Sequence, residues 1–155
     1  MALFLSTHVN KVDKKGRVSV PSHYRSTLAG QNFHGIVVFA SHKHDCLEAC
    51  GMDRMEQMAE SLDDLDLFSD AQDDLSASIF ADAHQLPFDA DGRVILPTDL
   101  AAHAGISGRA AFVGRGRTFQ IWDPDKFDVH KKEARSRAQK HAATLKLKNK
   151  NDSDG

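Results

Sequence analysis

At 155 residues, with 41% hydrophobic and 27% charged residues, the chain has the composition of an ordinary globular protein. No apolar run approaches the roughly 20 residues that span a bilayer, the N-terminus has no signal-peptide pattern, and two cysteines, Cys46 and Cys50, give no disulfide framework; a cytoplasmic protein is expected. The net charge of −2 hides segregation: residues 1–25 carry five Lys/Arg against one acid, residues 53–82 ten acids against Arg54, and residues 126–150 nine Lys/Arg against two acids. The local field is what a ligand meets, so an anionic partner stays open.

In chain order, His8–Asp13 reads as a strand and Arg17–Val20 as its hairpin partner, joined by the tight turn Asp13-Lys14-Lys15-Gly16. Alternation puts Val18 and Val20 on one face and Arg17 with Ser19 on the other, so burying the valines exposes Arg17 beside the turn lysines. Pro21-Ser22 then opens a short helix, with Ser22 as candidate N-cap, Gly30 as candidate stop, and Tyr24 and Leu28 on its apolar face. Strands Gly35–Ala40 and Cys46–Ala49 follow. Met52–Leu62 has helical spacing, with Met52, Met55, Ala59 and Leu62 on one face and Met58 beside it. Ser69–Phe80 is a further amphipathic helix with Leu75 and Ile79 one turn apart.

The first pattern then returns. Phe88-Asp89-Ala90-Asp91-Gly92-Arg93-Val94-Ile95-Leu96-Pro97 repeats Val12–Pro21 at a fixed offset, 93 − 17 = 76 for the arginines and 97 − 21 = 76 for the prolines. From Leu3/Ile79 to Ser22/Thr98 the ungapped register compares twenty positions, and seven are identical, including both histidines, His8 and His84. The second copy has Thr98 and Gly105 as candidate helix cap and stop, Leu100 and Ala104 as the apolar face, and strands Ala110–Gly114 and Thr118–Trp122 about the turn Gly114-Arg115-Gly116-Arg117. Asp123-Pro124 opens a helix to about His141, and Lys146–Gly155 reads as a frayed or disordered tail. A unit of some forty to fifty residues is too small to bury a core alone, so the two copies are expected to form a fused pseudo-dimer.

With both copies laid out, the sequence resembles the MraZ family, whose halves belong to the AbrB/SpoVT swapped-hairpin superfamily. The residues that carry the match are Asp13-Lys14-Lys15-Gly16-Arg17, Val18-Ser19-Val20-Pro21, Tyr24-Arg25, Asp89-Ala90-Asp91-Gly92-Arg93 and Leu96-Pro97. The resemblance implies an α/β (β-rich α+β) fold of two tandem AbrB-like repeats forming a pseudo-dimeric β-barrel with flanking helices. The expected boundaries are a first repeat at 7–54, an acidic helical connector at 55–82, a second repeat at 83–126, and a basic helix with a tail at 127–155. It further implies a nucleoid-associated, sequence-specific DNA-binding regulator that binds tandem promoter repeats of a bacterial division and cell-wall gene cluster. Repression by a ring-shaped homo-oligomer is the expected mode, and the turn arginine of each half, Arg17 or Arg93, is associated with DNA contact.

The residues themselves support Lys14, Lys15 and Arg17 as primary contacts. Lysines attract phosphates as point charges, an arginine can fork onto guanine, and a two-stranded ribbon fits the major groove. The second turn carries no lysine, so the halves are expected to differ, and Arg93 has an alternative as a structural partner of Asp89 or Asp91. His42, His44, Cys46 and Cys50 match no common zinc spacing, and His8 with His84 is expected to pair at a pseudo-twofold core position. No nucleophile constellation, acid pair or phosphate loop is present, so no enzyme, cofactor or metal is expected. The acidic segment 53–82 is expected to face a neighbouring protomer's basic helix, 126–140, or to stay solvated. An alternative to the regulator is an AbrB-fold protein-interaction module, antitoxin-like or scaffolding.

Overall fold

A computed structural model describes residues 2–141, and the expected tail at 146–155 lies outside them. The chain divides into two compact units, Met1–Pro124 and Asp125–Gly155. The first unit holds strands β1 (Thr7–Lys11), β2 (Arg17–Ser19), β3 (Gly35–Ala40), β4 (Leu47–Cys50), β5 (His84–Pro87), β6 (Arg93–Ile95), β7 (Arg109–Gly114) and β8 (Phe119–Trp122). Its helices are α1 (Ser22–Thr27), α2 (Met52–Asp63), α3 (Asp70–Leu75), continuing into the π turn Ser76–Phe80, and α4 (Thr98–Ala104). Helix α5 (Pro124–His141) lies almost wholly in the second unit and presents Lys131, Lys132 and Arg135 to solvent.

The strand order shows the two copies interleaving. Six antiparallel strands run β1-β7-β8-β4-β3-β5, and a separate ladder joins β2 to β6. Each copy keeps its own long hairpin, β3–β4 or β7–β8, and the two hairpins meet where β4 pairs with β8. The first strand of each copy crosses over: β1 pairs with β7 and β5 with β3. Arg17–Val20 is therefore not the hairpin partner of β1. At its tip that hairpin is kept by the bridge Val12↔Val18 and the Asp13 N–H···O=C Arg17 bond (3.0 Å), and the Asn10 side chain donates to the Ser19 carbonyl at 2.8 Å. Beyond the tip β2 pairs with β6, Val18 directly opposite Val94.

Burial explains the exchange. Val18, Val20, Val94 and Leu96 are buried in one cluster with Tyr24, Leu100, Ile36, Phe112 and Phe119, to which both copies contribute. A three-residue strand has too little apolar surface to be stable alone, whereas across from its repeat equivalent each valine face is covered. Tyr24 and Leu28, with Leu100 and Ala104, fill the same core, as their helical spacing predicts. Strand β3 is buried on both faces, because Val37 and Phe39 pack under α2 and the π turn against Cys50 and Met55.

Local expectations fail in instructive places. Pro21 and Pro97 occupy the cap positions of α1 and α4, so Ser22 and Thr98 are the first helical residues and cap nothing. Gly105 is the left-handed cap of α4 (φ 65°), but α1 ends at Leu28 in an α-region conformation, two residues short of Gly30. On α2 Met58 packs inward and Ala59 is exposed. Ser69 caps α3 by accepting from the Gln72 N–H at 3.1 Å, and the helix then widens into the π turn. His8 and His84 do not pair: they lie on β1 and β5, the two outer strands, because strand exchange carries equivalent positions to opposite edges.

Candidate nucleic-acid interface

The two Asp-x-x-Gly-Arg turns are built alike. Asp13 Oδ1 accepts the N–H groups of Lys15 and Arg17, both at 2.9 Å, and Asp13 Oδ2 accepts Arg17 Nε at 2.6 Å. Asp89 repeats this with the N–H groups of Asp91 and Arg93, both at 2.9 Å, and Arg93 Nε at 3.0 Å. Gly16 and Gly92 close the turns at φ 82° and 75°, a region that disfavours other residues. An aspartate here thus shapes the backbone and orients the guanidinium following it. The Arg17 backbone N–H is the main cause holding the Asp13 carboxyl below the usual carboxylate range; desolvation, the next in size, opposes it, and the Arg17 guanidinium and Lys15 N–H add smaller lowering effects. The Arg93 N–H does the same for Asp89.

Each turn is also stapled to the other copy. The Val20 N–H donates to the Gly92 carbonyl at 3.1 Å, and the Leu96 N–H donates to the Gly16 carbonyl at 2.9 Å. In the ladder between the turns, Arg17 stands opposite Ile95 and Arg93 opposite Ser19. With Val18 and Val94 inward, these four side chains share the outer face, and Ile95 is 59% exposed. Strand spacings place the two arginine Cα atoms roughly 8 Å apart. The structure brings Arg17 and Arg93 onto one ribbon rather than onto two independent hairpins.

The halves differ beyond lysine content. Arg17 spends only Nε on Asp13, so among the described residues its Nη edge keeps the planar fork that suits phosphate or guanine. Lys14 and Lys15 are exposed beside it. Arg93 gives Nε to Asp89 and also directs Nη2 toward Asp91 Oδ2 at 3.4 Å. The structural pairing foreseen for Arg93 is therefore present, and its guanidinium engages two acids of its own turn where Arg17 engages one.

One further cation lies at the site. Arg25 of α1 donates Nε to the Val20 carbonyl at 3.1 Å, and its guanidinium lies over Gly92 so closely that a Cβ there would stand 2.6 Å from Nη1. In the sequence Arg25 carries part of the family resemblance, through Tyr24-Arg25, but is not among the expected DNA contacts. The signal available was its repeat equivalent, Ala101 (25 + 76 = 101), which marks Arg25 as particular to the first copy.

The other sequence candidates lie away from the ribbon. His42 is exposed in the β3–β4 loop, and the His44 ring tilts against Trp122 with centroids 5.7 Å apart. Cys46 and Cys50 are buried free thiols, each pushed up to about 12 by burial. Among the described residues no group of three or more His, Cys, Asp or Glu could hold a metal ion, and no helix is long and apolar enough to cross a membrane.

Two interleaved copies of a strand–turn–strand–helix unit, each turn closed by Asp and Gly and followed by an arginine, define a tandem swapped-hairpin protein of mixed α/β class. The family model described as "MraZ protein, putative antitoxin-like" matches residues 3–77 and 79–149. The "Transcriptional regulator MraZ" of Rickettsia akari (strain Hartford) is 45% identical over 149 residues, covering 96% of this chain and 100% of the relative. The protein of the same name from Rickettsia felis (strain ATCC VR-1525 / URRWXCal2) is 44% identical over 151 residues, covering 97% and 100%. That from Pelagibacter ubique (strain HTCC1062) is 43% identical over 144 residues, covering 93% of each. The chain belongs to the MraZ family, whose members are named as transcriptional regulators and not as enzymes.

Proposed function

We propose that the protein regulates transcription by binding double-stranded DNA through the β2–β6 ribbon, with Lys14, Lys15 and Arg17 as primary contacts and Arg93 as a weaker one. The observation that carries this is the Asp13 clamp, which holds the Arg17 guanidinium by Nε and leaves its Nη edge open on the same turn as two exposed lysines. A two-stranded ribbon fits the major groove, lysines contribute sequence-independent attraction, and the guanidinium fork can read a guanine edge.

One ribbon engages few phosphates, so a single protomer binds weakly. Several protomers tethered in a ring raise the effective concentration and select DNA words repeated at matching intervals. In this reading the ring represses the division and cell-wall cluster that holds its own gene, and the protein sits on the nucleoid. The acidic segment 53–82 repels DNA and faces a neighbouring protomer or solvent. The first repeat at 7–54 and the second at 83–126 remain the proposed functional halves, with 55–82 as connector and 127–155 as basic extension.

A protein-interaction role is favoured by one feature, a groove of about 320 Å³ between α2 and the 70–80 helical segment, lined by Met58, Leu62, Leu65, Leu75, Ile79 and Phe80. A mobility-shift titration on the repeats upstream of the protein's own gene separates the readings. The regulator reading expects a shift at low salt that weakens steeply as salt rises. No shift with an intact oligomer overturns it.

A further inference from the structure

We propose that Arg25 and Arg93 form a second phosphate-contact site at the Asp89–Arg93 turn, assembled from both copies of the repeat. The inference rests on the DNA-binding reading and deepens it. Charge at the two turns sets the problem. Residues 13–17 carry two Lys and one Arg against one Asp, a formal +2; residues 89–93 carry one Arg against two Asp, a formal −1. Alone, the second turn repels a phosphodiester at the end of the ribbon opposite the lysines.

Arg25 removes that repulsion. Its guanidinium lies on the Cα side of Gly92, where the absence of a side chain makes room. It is held there by its Nε–H bond to the Val20 carbonyl, and the Val20 N–H in turn bonds the Gly92 carbonyl. One residue of β2's extension thus anchors both the turn and the cation beside it. With Arg25 counted, the local charge rises from −1 to 0, and a second guanidinium joins Arg93 at the turn. Arg25 is exposed, and Nε is its one hydrogen-bonded side-chain donor among the described residues, leaving the Nη edge for an oxyanion. The first turn has no counterpart, because Ala101 stands where the arginine would be, and it has its own lysines instead. The ligand is a backbone phosphodiester, bound without regard to base.

The test uses the full chain and a salt series of fluorescence-anisotropy titrations on promoter repeats and on scrambled duplex. Lys43→Ala, in the exposed β3–β4 loop, serves as control. Arg25→Ala should weaken both duplexes by the same factor and lower the slope of log K against log salt by about 0.9 per site engaged. Arg25→Lys should restore most of the slope, which a purely structural role would not predict. An unchanged slope for folded Arg25→Ala overturns the inference and leaves the function standing. A second arm needs no DNA: inorganic phosphate should slow phenylglyoxal modification of Arg25 in the wild-type protein, read by peptide mass spectrometry. This arm decides the matter if Arg25→Ala does not fold. Protection without any DNA binding keeps the anion site and overturns the proposed function; neither protection nor DNA binding overturns both.

Discussion

Val18→Ala is the substitution that probes the interleaving most sharply. Val18 is fully buried and sits across the β2–β6 ladder from Val94, itself 1% exposed. Removing two methyl groups forfeits about 1.6 kcal/mol of transfer free energy at ~0.8 kcal/mol per group. The cavity adds on the order of 1 kcal/mol, because strands stapled at both turns cannot collapse into it. A loss of about 2–3 kcal/mol is expected, read as a lower urea midpoint at constant slope and fixed protein concentration. Ile95→Ala, on the outer face of the same ladder, should change stability by no more than about 0.5 kcal/mol. The interleaving adds a stronger requirement. Val18 belongs to the first copy and Val94 to the second, yet their cavities merge, so the double substitution should depart from additivity by more than about 0.5 kcal/mol. Additive losses, or two separate transitions of which Val18→Ala moves only one, would refute a shared core.

Other consequences are cheaper to check. Tyr24→Phe removes the hydroxyl that donates to the Ser6 carbonyl at 2.7 Å and should cost about 1–2 kcal/mol in the same assay, while DNA affinity holds. Both thiols, raised to about 12 by burial, should react with a thiol reagent at neutral pH only as fast as the protein opens, and rapid labelling of the native state would contradict their burial. The Asp13 and Asp89 carboxyls are held below the usual carboxylate range in the folded protein, so their contribution to stability is complete above that range and fades only as pH falls through the lowered folded values. Stability differences between wild type and Asp13→Asn should therefore be flat from about pH 5 to 8, and a titration step inside that window would show the clamp to be mis-described.

The 76-residue offset made the pseudo-dimer and both turns legible, because Asp, Gly and Pro are demanded by local backbone geometry that a sequence displays. Alternation likewise gave the inward valines and outward arginines. What it hid was which strand pairs with which. Val12–Val20 reads as a hairpin because its turn is one, and nothing local reveals that β2 continues against β6 rather than β1. His8 and His84 were misplaced for the same reason, since equivalent residues separate when their strands exchange. Arg25 is visible in the sequence only as part of the Tyr24-Arg25 match, because its place at the second turn lies in a contact with Gly92, 67 positions along the chain (92 − 25 = 67).

The central claim is that one ribbon, unequal at its two ends, makes the DNA contact. Measured affinities of Arg17→Ala and Arg93→Ala for the promoter repeats, with folding and oligomer size unchanged, test it directly. The account predicts that Arg17→Ala loses much more affinity than Arg93→Ala, in keeping with a discrimination of about 1–3 kcal/mol for a good guanidinium–base contact. Equal losses, or binding that survives both substitutions, would contradict it.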